Sequence, residues 1–231
     1  MTRGAAIVAG ASSGLGSALC ALLAARGFRV VALGRDPALR AVASEVQGVT
    51  TIACDLTLES EVEHAFAAAR ESAGPVRAVV YNAHVVELAP FAETSLNAFE
   101  RAWRVNCCGA FVVAQRAVPA LLAQGGGTLI LTGATGSVRG GRRSAAFASS
   151  KFALRGLAQS LAREYSASGV HVAHVVLDGL IWSERTRARF GPEEPACMTP
   201  AAVATAYLGL IEQDRSAWTH ELDLRPSVER F

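Results

Sequence analysis

Little in this sequence singles out a specialised class. Its five cysteines, Cys20, Cys54, Cys107, Cys108 and Cys197, are odd in number, show no Cys-x-x-Cys spacing and mostly fall in apolar stretches. That excludes a disulfide framework and points to reduced core residues of a cytoplasmic protein, with no metal centre expected. Neither sign of charge dominates: 22 Lys and Arg face 20 Asp and Glu, a net charge of +2. No global field therefore draws the chain to nucleic acid or to an anionic membrane. One short basic run, Arg139, Arg142 and Arg143, reads as a solvated loop. The chain enters an apolar strand at Ala5 without a basic region, a long hydrophobic run or a cleavage site, so no signal peptide is visible. No uninterrupted apolar run reaches membrane-spanning length. Aromatic residues make up only 6% and charged residues 18%, yet 51% of the chain is hydrophobic, which is too apolar for disorder. At 231 residues the expectation is one domain over 1–231.

Short β-branched runs alternate with longer Ala- and Leu-rich segments of helical period. This is the pattern of parallel strands joined by crossover helices. Strands are expected near 5–9, 29–33, 49–53, 77–82, 127–132, 170–177 and 218–224. Helices are expected near 14–26, 37–46, 58–72, 96–123, 145–168 and 199–213. The repeated βαβ order predicts an α/β fold, a Rossmann-type doubly wound parallel sheet of about seven strands with helices on both faces. The least regular stretch, 183–198, holds Gly191, Pro192 and Pro195 and follows the sixth strand. Ligands in such sheets bind beyond the carboxyl ends of the strands, so this stretch is a candidate substrate lid; an ordinary surface loop is the alternative.

The first strand runs directly into Gly10-Ala11-Ser12-Ser13-Gly14-Leu15-Gly16 and then a helix. Glycines there permit a tight turn and let backbone N–H groups approach a pyrophosphate at the positive end of that helix. The spacing Gly-x-x-x-Gly-x-Gly resembles that of the short-chain dehydrogenase/reductase family. Further matches follow in order: Asp55-Leu56, Asn82-Ala83, Asn106, Lys151 and Gly179. The resemblance implies that Asp55 and Leu56 hold an adenine, that Ala83 packs near its ribose, and that Ile181 and Ser183 meet a nicotinamide carboxamide. Ala9 stands where the family usually has Thr, and Asp178 where it has Pro. Cofactor choice is read at the end of the second strand, Ala32-Leu33-Gly34-Arg35. Gly34 offers no carboxylate to a ribose 2′-hydroxyl, while Arg35 suits a 2′-phosphate. NADP is thus expected over NAD, with Asp36 arguing the other way.

In the same family a Tyr transfers a proton, a Lys four residues later lowers its pKa and holds the nicotinamide ribose, a Ser bonds the substrate oxygen, and an Asn supports a water relay. Spacing of i, i+4 stacks two side chains on one helix face. Here the segment reads Phe147-Ala148-Ser149-Ser150-Lys151, so Lys151 and Asn106 remain while the phenol oxygen is lost. The Ser position, thirteen residues earlier, falls on Ala134. Thr135 or Ser137 would substitute if the loop shifts, and both also read as plain turn residues. His84, with a pKa suited to neutral pH, is a candidate for proton transfer, against the reading of a loop histidine. Tyr81 and Asp178 are weaker candidates. His171 and His174 read as satisfied core or edge residues, His64 and His220 as surface.

Two functions follow from this reading. One is a divergent NADP-dependent reductase of a small polarised carbonyl, conjugated or imine substrate. The other is a catalytically silent NADP-binding sensor or interaction protein, for which a pocket filled by Phe147 and Trp182 would speak. The segment from Phe152 to Ala162 is apolar around much of its circumference, and the family often pairs its helices there, so a homodimer or homotetramer is expected.

Overall fold

The computed structural model describes residues 3–35, 39, 42, 44, 46–191 and 196–228. The seven strands are β1 (Ala5–Ala9), β2 (Arg29–Gly34), β3 (Val49–Ala53), β4 (Val76–Tyr81), β5 (Gly127–Thr132), β6 (Val170–Leu177) and β7 (Glu221–Leu224). They form one sheet in the order β3-β2-β1-β4-β5-β6-β7, and every pairing is parallel. All five residues of β1 and all eight of β6 are buried, as near-continuous apolar strands in a doubly covered sheet should be.

Alternate strand residues feed two cores. On one face Ile7, Val31, Leu33, Val79, Leu129 and Leu131 pack under α2 (Glu59–Ala73), α4 (Gly109–Leu122) and α5 (Ala145–Tyr165). On the other face Val8, Val30, Val80, Ile130 and Val175 pack under α1 (Leu15–Ala25) and α7 (Pro200–Ile211). Helix α7 starts where the sequence says it should: the Thr199 hydroxyl accepts the Ala202 N–H at 3.3 Å, and Pro200 occupies the first turn. The doubly wound parallel sheet is therefore present, and strand order reverses between β1 and β4, where the carboxyl ends open a crevice.

Three details depart from the sequence reading. The expected helix over 96–123 is α3 (Leu96–Trp103) and α4 joined through a π-helical turn, Arg104–Cys108. This continuous stretch, Leu96–Leu122, is long and apolar enough to cross a membrane, but here its apolar residues Ala110, Val113, Ala117 and Leu121 lie in the core. The last strand begins at Glu221 rather than 218, because a 3₁₀ turn at Arg215–Ala217 precedes it and Trp218 stacks on His171. A seven-residue helix α6 (Glu184–Phe190) stands within the expected lid, capped by the Ser183 hydroxyl on the Thr186 N–H at 3.0 Å. Asp36, Pro192, Pro195 and most of the expected helix 37–46 lie outside the described residues.

Candidate active site

The loop between β1 and α1 is shaped by close backbone approaches. Gly10 has φ +88°, and a Cβ there would lie 2.3 Å from the Ala83 nitrogen and 2.5 Å from its Cα. A Cβ at Gly16 would meet the Ala11 Cα at 2.9 Å, and one at Gly34 the Ala11 carbonyl oxygen at 3.1 Å. Asn82 adds a side-chain bond, its Nδ2 donating to the Gly10 carbonyl at 3.3 Å. These contacts bring the ends of β1, β2 and β4 together. Gly14, also at φ +88°, differs: an added Cβ would meet only the Ser183 Cβ, at 3.9 Å. It also caps α1 without a side chain, so the loop faces an open cradle toward Ser183, with Ser12, Ser13 and Leu15 along it. A helix N-terminus bordering such a space suits an anion such as a pyrophosphate.

At the far end of this crevice, Asp55 accepts from the Thr57 N–H and hydroxyl at 2.9 and 2.8 Å. Partial burial opposes its ionised form, but those two bonds and the charges of Arg35 and Arg104 outweigh it and hold the carboxyl below its ordinary value. Arg35 is thus close enough to act on Asp55. Leu56 is buried beside Gly109.

Asn106 owes its position to the π turn, and the turn has an identifiable cause. The Tyr81 hydroxyl donates to the Val105 carbonyl, which an ordinary helix would offer to the Gly109 N–H four residues on. That N–H bonds Arg104 O instead, five residues back. Gly109 makes room: a Cβ there would lie 2.5 Å from the Tyr81 hydroxyl oxygen. Asn106 is fully buried and pins the loop after β4, accepting from the Val85 N–H at 2.8 Å and donating to the Val85 carbonyl at 3.0 Å. Its Nδ2 also donates to the Ser150 hydroxyl at 2.9 Å, joining the turn to α5. Tyr81 and Gly109 are positioning residues that sequence reasoning missed in this role; Tyr81 is buried and engaged, so it is not a proton donor for the cleft.

Lys151 is 2% exposed, and its Nζ donates to the Thr132 carbonyl at 2.8 Å. Burial pushes its pKa down to about 7, partly opposed by Cys107. A group so poised exchanges protons near neutrality. Phe147, one turn earlier on α5, is half-buried and packs on Gly136. Ser137 is not open to the cleft: it is fully buried, and its hydroxyl accepts the Ala134 N–H at 3.1 Å. Thr135 is likewise engaged, donating to Asp178 at 2.6 Å. Asp178, 3% exposed, also pairs with Arg139 at 3.2 Å and Arg225 at 3.4 Å. Arg139, Arg142 and Arg143 are all exposed, as a solvated loop should be, and Arg139 additionally reaches back to Asp178.

His84 lies exposed at the cleft mouth, its Nδ1 3.3 Å from the Asn82 carbonyl. Surrounding protein atoms that dehydrate it, and the nearby charges of Lys151, Arg185 and Arg189, all push its imidazole down. His171 meets the Thr219 carbonyl at 2.9 Å and stacks on Trp218. His174 is not satisfied as expected: it is fully buried, neither ring nitrogen has a hydrogen-bond partner among the described residues, and burial pushes its pKa down to about 4, partly opposed by the Glu221 carboxylate 3.7 Å from Nδ1. His64 is exposed; His220 is half-buried.

Beyond β6, Gly179 adopts φ +145°, and Ile181 bridges to Met198 so that the neck of the expected lid is closed by backbone bonds from Trp182 to Met198 and from Met198 to Leu180, each 2.8 Å. Ser183, which follows Gly179 and Ile181 along this segment, faces Gly14 of the glycine loop.

The chain matches the short chain dehydrogenase family model over residues 4–189. It is 33% identical over 220 residues to the 3-oxoacyl-(acyl-carrier-protein) reductase MabA of Mycobacterium tuberculosis, covering 91% of this chain and 86% of MabA. A short-chain dehydrogenase structure from Rhodopseudomonas palustris is 34% identical, with TM-score 0.82 over 96% of this chain and 98% of that one. An NADPH-bound short-chain oxidoreductase of Pseudomonas aeruginosa, described as containing an atypical catalytic centre, shares the fold at TM-score 0.90 and 22% identity, over 99% and 98% of the two chains. With its glycine loop, its Lys151 and its sheet topology in this arrangement, the chain belongs to the short-chain dehydrogenase family of NAD(P)-binding oxidoreductases.

Proposed function

We propose that this chain is an NADP-dependent reductase of a small, already polarised carbonyl, conjugated or imine substrate. The observation that carries the reading is an open glycine cradle and a buried, hydrogen-bonded Lys151 beside a benzyl side chain at Phe147. Gly10, Ser12, Ser13, Gly14, Leu15 and Gly16 would hold the pyrophosphate, Asp55 and Leu56 the adenine, Arg35 the 2′-phosphate. Asn82, Ala83 and Lys151 would hold the ribose groups, and Gly179, Ile181 and Ser183 the nicotinamide. NADPH, when bound, supplies a hydride. Phe147 walls the cleft and excludes water but gives no proton, and Ala134 gives no hydrogen bond. A positioned general acid contributes about 10²–10⁴ in rate, and orientation on the order of 7–11 kcal/mol. Orientation survives here, so a substrate that needs little acid remains within reach.

NADPH oxidation against a graded panel tests this: rates should fall from iminium to conjugated ketone to unactivated ketone, with NADPH preferred over NADH. Inactivity throughout, with tight NADPH binding, would replace the reading by that of a silent NADP-binding sensor.

The chain is also proposed to form a homodimer or homotetramer. Phe111 on α4 and Phe152 on α5 are 49% and 43% exposed, more apolar surface than either helix needs for its own sheet. Light scattering should give a species two or four times 24.1 kDa; a monomer at micromolar concentration would exclude it.

A further inference from the structure

The lid helix α6 carries three arginines, and its geometry divides them. Arg185 and Arg189 are four residues apart, so they stack on one helix face. Both act electrostatically on His84, and Arg189 donates to the Val86 carbonyl at 2.8 Å, which fixes that face against the loop after β4. Arg187 instead pairs with Glu184 at 3.6 Å. Among the described residues, two nearby carboxylates already have partners: Glu87 is paired with Arg101, and Asp178 with Arg139 and Arg225. Among the described residues, no carboxylate forms an ion pair with Arg185 or Arg189. Two guanidinium groups thus sit on the face of α6 that meets the loop after β4, close to His84, and among the described residues neither has a carboxylate partner.

Resting on the reductase reading above, we propose that the cleft selects substrates bearing a compact anionic group, carboxylate or phosphate, bound by Arg185 and Arg189 beside His84. Guanidinium forks match both anions bidentately. The anion would lie on the lid side of the cleft, leaving the reacting carbon over Phe147.

The test reads binding, not turnover. Calorimetry on the enzyme with NADP⁺ compares 2-oxobutanoate with its methyl ester, 4-oxopentanoate with its methyl ester, and dihydroxyacetone phosphate with dihydroxyacetone. At least one anion should bind tenfold or more tightly than its neutral counterpart, and which pair responds separates carboxylate from phosphate. The preference should vanish in Arg185→Gln/Arg189→Gln while NADPH affinity stays within about twofold. Equal binding within every pair, no binding by any anion, or a preference that survives the double variant would overturn the proposal. So would a loss of NADPH affinity in the variant, which would assign the arginines to the cofactor's phosphates. Because no turnover is needed, failure of the reductase reading leaves this result interpretable.

Discussion

Lys151→Ala should weaken NADPH binding by about 10- to 100-fold, whereas Phe147→Tyr should leave it within about twofold. Hydrogen bonds that involve a charged group contribute roughly 1.5–3 kcal/mol, and each 1.4 kcal/mol is about tenfold in affinity. Lys151 is held at 2.8 Å by the Thr132 carbonyl, so its amine is pre-oriented and little ordering is required on binding. A fluorescence titration of both variants checks the contrast; unchanged affinity in Lys151→Ala would show that the family's site is misplaced on this chain. The same residue has a signature in stability. Its folded pKa of about 7 lies below the ordinary 10.5, so between those values the unfolded chain binds a proton that the folded chain does not. Stability of the unliganded protein should therefore rise with pH across that window. Lys151→Ala should flatten the rise.

Gly10→Val should destabilise the fold by about 3 kcal/mol and abolish cofactor binding. Its φ of +88° strains an L residue by roughly 1–2 kcal/mol, and overpacking adds about 1–3 kcal/mol. The atoms in the way are the backbone of Ala83, at 2.3 and 2.5 Å, and Ala83 is itself tied down through Asn82. For a chain of this size, a melting temperature lower by roughly 6–12 °C follows. Gly48→Ala is the control, since Gly48 has φ +76° but nothing within 4 Å of an added Cβ. Equal shifts in the two variants would mean that the close approach to Ala83 carries no weight.

The sheet was legible because parallel strands buried on both faces leave continuous apolar runs, and β1, β5 and β6 fall where those runs lie, while the edge strand β3 shows by its β-branched Val-Thr-Thr-Ile. The glycine loop was legible because each of its glycines answers a local need. What escaped the sequence depends on contacts between distant segments. The π turn requires the Tyr81 hydroxyl to capture a carbonyl of a later helix, and no spacing rule shows this. Asp178, read as a departure from Pro and as a weaker proton-transfer candidate, gathers Thr135, Arg139 and Arg225 from three segments. Helix α6 did carry a signal, a capping Ser183 three residues before Thr186, but seven residues show too little periodicity to stand out. Ser137 passed as a candidate because its burial under Ala134 is a matter of loop packing.

The central claim is that Phe147 and Ala134 deprive an otherwise intact cofactor site of its proton donor and substrate-oxygen donor. A double-mutant cycle measures it most directly: NADPH oxidation with an unactivated ketone for the wild type, Phe147→Tyr, Ala134→Ser and the double variant. Groups that act as a unit are non-additive, so the wild type should be nearly inert and the double variant should exceed the product of the single gains. A wild type that reduces the unactivated ketone as fast as an iminium ion, or a Phe147→Tyr change that gives no gain even alongside Ala134→Ser, would contradict the account.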